Sequence, residues 1–232
     1  RVRKVWRLET DKGSCCLKRT ILTPRDLLFV HEVLDYLQTR GFQSVLPCLR
    51  ALTGETYTVL NSQTYVLYPW RQSREADFGR EADLALGIKT LTELHKYSTG
   101  FIPYRSDPDR VRWGLWPRIF SARRSQLAEF GHRAAAKARS STFCAWYAEM
   151  FPYYYAQSWQ ALNLLAVSPY AELSAVGVRQ RTICHHDCSA RNLLIDENER
   201  VTLVDFDYCL ADLRLHDLGN LMLRLLRHNH WR

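Results

Sequence analysis

The sequence predicts an α+β fold of two lobes. A small, antiparallel, strand-rich lobe takes residues 1–70 and a larger, mainly helical lobe takes 71–232. Three observations predict it. Strand-and-turn patterns fill the first seventy residues apart from one helix. Helical periodicity sets in at Glu81. A short hairpin at residues 192–207 then interrupts the helices before a last one.

The elements follow in order. Val5–Thr10, the turn Asp11-Lys12-Gly13 and Ser14–Arg19 read as strand, turn, strand. Thr23-Pro24 opens a helix, because Thr caps and Pro suits the first helical position. Leu27, Val30 or His31, Leu34 and Leu37 repeat along it, and Gly41 ends it. Thr56–Leu60 and Thr64–Tyr68 make a second hairpin around Asn61-Ser62-Gln63, and Pro69-Trp70 begins a linker. From Glu81, Leu84, Ile88, Leu91 and His95 share a helix face, with His31 and His95 read as ordinary helix residues. Residues 101–115 are irregular. Residues 117–166 are helical in composition, and their aromatic stripe, Trp146 to Trp159, is expected to pack a core. A final helix begins near Asp217.

The stretch HHDCSARNLLIDENERVTLVDFD, residues 185–207, carries the chemistry. Two apolar runs flank a polar turn centred near Asn198, so Asn192 and Asp205 meet at the open end of a hairpin, with Asp187 arriving just before. Hard oxygen ligands of this kind suit Mg²⁺, which takes one or two protein ligands plus substrate phosphates. The spacing H-x-D-x-x-x-x-N, followed by an Asp closing the next strand, is that of a phosphoryl-transfer loop. A rival reading is zinc at Cys184, His186 and Cys188, which share one face of an extended segment. Structural zinc wants four converging ligands, and the nearby supply stops at Cys209, so Cys184 and Cys188 are read as small buried residues.

Composition sets the frame. At 232 residues with 47% hydrophobic content the chain can bury a substantial core. Seven scattered cysteines favour reduced thiols in a cytoplasm-like compartment. No run is long and apolar enough to span a bilayer, so no membrane partner is expected. The net charge of +8 gathers at Arg1, Arg3, Lys4 and Arg7 and again from Arg110 to Lys137. No nucleic-acid module accompanies it, so solvated surface arginine and an anionic nucleotide are the expected explanation. The chain opens on Arg1 inside a strand pattern and closes on an unfinished helix, Leu221 to Arg232, so it is expected to be part of a longer protein.

HHDCSARN followed by VDFD resembles the aminoglycoside phosphotransferase and choline kinase branch of the protein-kinase-like superfamily. KVWRLETDKGSCCLKR, YVLYPWRQSREADFGREADLALGIKTLTELHKYSTGF and SPYAEL are similar to CotS-type spore coat proteins, over nearly the whole chain. The resemblance implies a kinase-like fold whose N-lobe lacks its first strand and glycine-rich phosphate loop. It implies ATP and Mg²⁺ as cofactors, Asp187 as catalytic base, and His185 as a structural loop residue. It implies Asn192 and Asp205 as metal ligands, Lys18 on the nucleotide phosphates, Glu32 as the carboxylate holding Lys18, and Asp217 as a brace. Asp207 replaces the glycine of D-F-G, and the segment before Asp217 is too short for a protein-kinase activation loop, so a small hydroxyl acceptor is expected.

Two readings of function follow. One is transfer of the ATP γ-phosphate to a hydroxyl of a small molecule. The other is a non-catalytic or weakly active spore coat structural protein that keeps the fold and contacts other coat proteins. The location implied is the cytoplasm, or the spore coat after assembly from the mother-cell cytoplasm.

Overall fold

The computed structural model describes residues 4–103 and 108–228. Arg1 and Arg3 of the expected basic cluster, and residues 229–232 of the expected last helix, lie outside them. Two compact units make up the chain, Arg1–Val111 with Gln180–Arg232, and Arg112–Arg179. The fold is α+β, with three sheets and six α-helices among the described residues.

The first unit opens on a four-stranded antiparallel sheet. Strands β1 (Lys4–Thr10), β2 (Gly13–Thr20), β3 (Thr58–Leu60) and β4 (Gln63–Pro69) lie in the order β1-β2-β4-β3. Each hairpin turn is dictated locally. Gly13 takes φ +109, which a side chain would strain, and Asn61 and Ser62 both sit at positive φ, the two-residue turn that matches strand twist. Lys18 pairs with Val66 in the register, which sets it in the middle of β2 with β1 and β4 on either side.

Helix α1 (Pro24–Thr39) begins as its sequence requires. Thr23 accepts from the Asp26 N–H while the Asp26 carboxylate accepts from the Thr23 N–H, a complete capping box. Its apolar face is buried along Leu27, Val30, Leu34 and Leu37, with His31 buried among them. Phe101 meets Phe29 and Tyr36 edge-on at 5.7 and 5.4 Å.

Helix α2 (Glu81–Tyr97) buries Asp83, Gly87, Thr90, Leu91 and Leu94, and leaves Ile88 exposed. The buried stripe is thus rotated by about one position from the Leu84–Ile88–His95 face that hydrophobicity predicts. The cause is polar: strand β5 (Arg74–Glu75) presents Arg74, which grips the buried Asp83 with two hydrogen bonds of 2.6 and 2.8 Å. Gly87 faces strand β7, where an added Cβ would stand 3.0 Å from Leu193. Strands β7 (Leu193–Ile195) and β8 (Val201–Leu203) form the late hairpin and β5 extends it; β6 (Ile183–Cys184) pairs with β9 (Leu210–Ala211). Helix α6 (Leu215–His228) closes the described chain. All seven cysteines are free thiols, and Cys184 and Cys188 are buried as expected.

The second unit is built on α3 (Trp116–Lys137), α4 (Thr142–Val167) and most of α5 (Tyr170–Gln180). Gly131 lets α4 approach α3, since a Cβ there would fall 2.6 Å from the Phe151 ring. The aromatic stripe of α4 departs from the expected core packing. Trp146, Tyr153, Tyr154 and Trp159 are exposed, and α4 holds no buried residue. With α3 as its main partner, α4 can turn only one face inward, and the remaining aromatics point outward. Among the described residues no single helix is long and apolar enough to cross a membrane.

Candidate active site

The site forms within the first unit, on the loop between β6 and β7 and at the open end of the β7–β8 hairpin. The ladder pairs Ile195 with Val201 and Leu193 with Leu203. One step on, the Val204 N–H donates to the Asn192 carbonyl at 2.9 Å. Asp205 therefore lies one residue past the ladder, and its backbone turns left-handed, φ 66 and ψ 59. A non-glycine residue there stores strain on the order of 1 kcal/mol, held by its surroundings.

His185 is completely buried and fixes the loop to the hairpin. Its Nε2 meets the Val204 carbonyl at 3.0 Å and its Nδ1 accepts the Asp187 N–H at 3.3 Å. Those partners assign the neutral Nε2–H tautomer. Burial pushes the imidazole below its ordinary pKa, which agrees with a neutral ring. The Phe206 ring sits edge-on to it at 4.7 Å.

Asp187 and Asn192 are side by side. The Asn192 amide nitrogen donates to the Asp187 carbonyl at 2.8 Å and to its Oδ2 at 3.0 Å. That commits the nitrogen and leaves the amide oxygen for a further partner. The other carboxylate oxygen, Oδ1, accepts from Arg224 on α6.

Lys18 reaches the hairpin from β2. Its ammonium sits 2.8 Å from Asp205 Oδ1 and 2.7 Å from Asp207 Oδ1, and all three groups are largely buried. The carboxylates brought to Lys18 are thus those of Asp205 and Asp207, while Glu32 is half-buried on α1. Arg110, expected in a solvated basic set, is instead buried. Its guanidinium holds the Asp207 and Cys209 carbonyls at 2.9 and 3.1 Å and Asp26 at the start of α1 at 2.8 Å. A single buried cation therefore ties the 206–209 turn to a helix start.

One stripe of α6 holds the loop from below. Asp217 accepts the backbone N–H groups of His185 and His186, both at 2.8 Å, and His95 Nε2 at 2.8 Å. Burial raises its pKa, but the His95 hydrogen bond and charge outweigh that and hold it well below the ordinary carboxylate range. Asn220, three residues on, accepts the Cys188 N–H at 3.0 Å, and Arg224, four further, reaches Asp187. The intervals of three and four are those of a single helix face. The expected bracing role of Asp217 has a geometric basis here. His95, read as an ordinary helix residue, is part of it.

Among the described residues, the potential metal ligands that converge are His95, Cys184 and Asp217. Both Asp217 oxygens already accept N–H groups and the Cys184 thiol donates to the Asp212 carbonyl, so these three are held in hydrogen bonds and are not the Cys184–His186–Cys188 zinc set expected as a rival. The donor set that fits Mg²⁺ is the Asn192 amide oxygen with the Asp205 carboxylate: two hard oxygens at the open end of the hairpin, too few to cage an ion alone and suited to sharing it with phosphates. A cavity of about 1020 Å³ lies elsewhere, lined by Trp70–Arg74, α2 and the hairpin turn Asp196–Arg200. It is at the closed end of the hairpin, away from the groups just described.

Comparison with known proteins agrees with this architecture. The model of the phosphotransferase enzyme family matches residues 2–232. Spore coat protein S of Bacillus subtilis is 22% identical over 227 residues, covering 96% of this chain and 64% of that protein. Among solved structures, an aminoglycoside phosphotransferase from Alicyclobacillus acidocaldarius superposes with a TM-score of 0.76 at 20% identity, over 100% of this chain and 69% of that one. The amicoumacin kinase hAmiN, solved with AMP-PNP, Ca²⁺ and Ami, gives 0.62 at 16% identity, over 97% and 62%. The chain thus spans just under two thirds of the length of the spore coat relative it matches. By its family match and its kinase-like fold, this chain belongs to the phosphotransferase enzyme family and is a relative of spore coat protein S.

Proposed function

We propose that the protein transfers the γ-phosphate of ATP to a hydroxyl of a small molecule, with Asp187 as base and Asn192 and Asp205 as the ligands for Mg²⁺. The observation that carries the reading is the convergence, at one hairpin end, of a hydrogen-bonded Asp187–Asn192 pair and a Lys18–Asp205 ion pair. Phosphoryl transfer asks for positioning and charge neutralisation more than covalent help. Mg²⁺, when bound, would supply charge neutralisation for the phosphates. Lys18 would exchange Asp205 for phosphate oxygens and keep Asp207 as its anchor. Asp187 would take the proton from the acceptor hydroxyl as the new P–O bond forms and ADP leaves with the electrons of the broken bond. Asn192 and the neutral His185 hold that carboxylate and its backbone in place. In this reading residues 1–70 serve the nucleotide and 71–232 carry the base and the acceptor.

A second reading, a coat protein that retains the fold with little or no turnover, is favoured by two observations. One is the similarity to spore coat protein S. The other is the Arg224 ion pair that occupies Asp187. In full-length protein, Asp187→Asn should keep Mg-ATP binding, read as a rise in melting temperature, and abolish transfer, because an amide cannot take the proton. Asp205→Asn should weaken Mg-ATP binding. Wild-type behaviour of both variants in both assays would leave the structural reading standing.

A further inference from the structure

Arg224 has no counterpart in the roles assigned so far, and its setting is specific. It stands on the α6 stripe that begins with Asp217 and Asn220, so its position relative to the catalytic loop is fixed by two other contacts on the same helix face. It pairs with Asp187 through one nitrogen, Nη2, on the carboxylate oxygen that Asn192 does not use. Its side chain is 40% exposed, against 21% for Asp187. A guanidinium carries five N–H donors in a planar fork. One is committed here, and the exposed edge leaves the others for a ligand beside the base.

We propose that Arg224 selects the acceptor: the hydroxyl compound phosphorylated at Asp187 carries an anionic oxygen group, a carboxylate or phosphate, close to the reacting hydroxyl. The proposal rests on the phosphotransfer reading above. To give its proton to Asp187, the acceptor hydroxyl must come within about 3 Å of the carboxylate. Atoms one or two bonds from that hydroxyl then lie within reach of the guanidinium fork, whose geometry matches carboxylate and phosphate oxygens. An amine or quaternary ammonium in the same place would meet a fixed positive charge across a short, partly desolvated gap. The net charge of +8 acts in the same direction by drawing anions toward the protein.

The test uses full-length protein with Mg-ATP and measures ADP formation with three sets of small alcohols. The anionic set is glycerate and glucose 6-phosphate, the neutral set glycerol and glucose, the cationic set ethanolamine, choline and glucosamine. The wild-type protein should turn over at least one anionic compound on the order of tenfold to a hundredfold faster than the neutral and cationic sets, the scale of one charged hydrogen bond. Arg224→Gln should lose that preference, and Arg224→Lys should restore part of it by returning the charge without the fork. A purely structural arginine would change stability or overall rate and leave the ratio between sets intact. Two results overturn the proposal: no anionic compound exceeds the other sets, or the preference survives in Arg224→Gln, including the case in which every set is slowed by the same factor. Failure of Mg-ATP to raise the melting temperature of the wild-type protein would instead overturn the phosphotransfer reading itself, so the two failures are distinct.

Discussion

Replacing Lys18 with Met removes the ammonium that stands between Asp205 and Asp207. The side chains are close in volume, so the change is electrostatic. In the wild-type protein, hydrogen bonds of 2.8 and 2.7 Å join the ammonium to the two carboxylates. Lys18 is 10% exposed, Asp205 20% and Asp207 6%. Removing one partner of a buried ion pair costs about 3–5 kcal/mol, because the remaining charge stays desolvated. Asp205 retains some water, which argues for the lower end, about 3 kcal/mol. For a chain of this size each kcal/mol moves the melting temperature by about 2–4 °C, so a fall of roughly 6–12 °C is expected. Much of the cost should be Asp207, the more buried carboxylate. Lys18→Met with Asp207→Asn should then recover a part of it, with a coupling of about 1–3 kcal/mol in the double-mutant cycle. Thermal and urea denaturation followed by circular dichroism measure both quantities. A single variant within about 1 kcal/mol of wild type, or a cycle with no coupling, would refute the claim that Lys18 is what allows two carboxylates to share this turn.

Two further outcomes follow from the same geometry. Asp217→Asn loses one acceptor oxygen among three N–H donors, and should cost about 3 kcal/mol while speeding amide hydrogen exchange at His185 and His186; unchanged exchange at those two amides would count against the bracing role. His31 is buried against the Thr56 hydroxyl at 2.6 Å, and burial lowers its pKa to about 4 from the ordinary 6.5. The unfolded chain therefore binds the proton first, so stability should decline as pH falls from 6.5 towards 4, and His31→Gln should flatten that part of the stability profile measured by urea denaturation.

Much of the site was legible because it is local. His185, Asp187 and Asn192 lie within eight residues, and Asp205 follows just past the next strand, so the loop and its hairpin bring them near one another through contacts close in the chain, and the α6 stripe then pins the loop. The same locality made the capped start of α1 readable, and the second hairpin's turn to within one residue: Gln63, expected in the turn, is the first residue of β4. The hairpin register was nearly right; just past the ladder the Val204 N–H bonds the Asn192 carbonyl, and Asp205 turns away one residue later. Lys18 was placed by its strand and by the resemblance, yet the identity of its buried partners was not visible, because they stand 187 and 189 residues away.

What the sequence determined by itself was the succession of the main elements, the buried face of α1, and the loop of His185, Asp187 and Asn192 with its hairpin. These depend on period, caps and turns, which act over a few residues. The short strands β5, β6 and β9 and helix α5 were not legible in it. The tertiary structure alone decided that Arg110 is buried between α1 and the 206–209 turn, that Asp83 and not Leu84 leads the inner face of α2, and that His95 and Arg224 attend the loop. It also decided that the α4 aromatics point outward. Each of these depends on which surface meets which. A charged side chain reads as solvated until a partner from a distant segment arrives to neutralise it, and an aromatic stripe reads as core until the number of helices available to cover it is known. Hydrophobic pattern gives a segment a face to bury, but the partner that covers that face or neutralises its charges is supplied by contacts far apart in the chain.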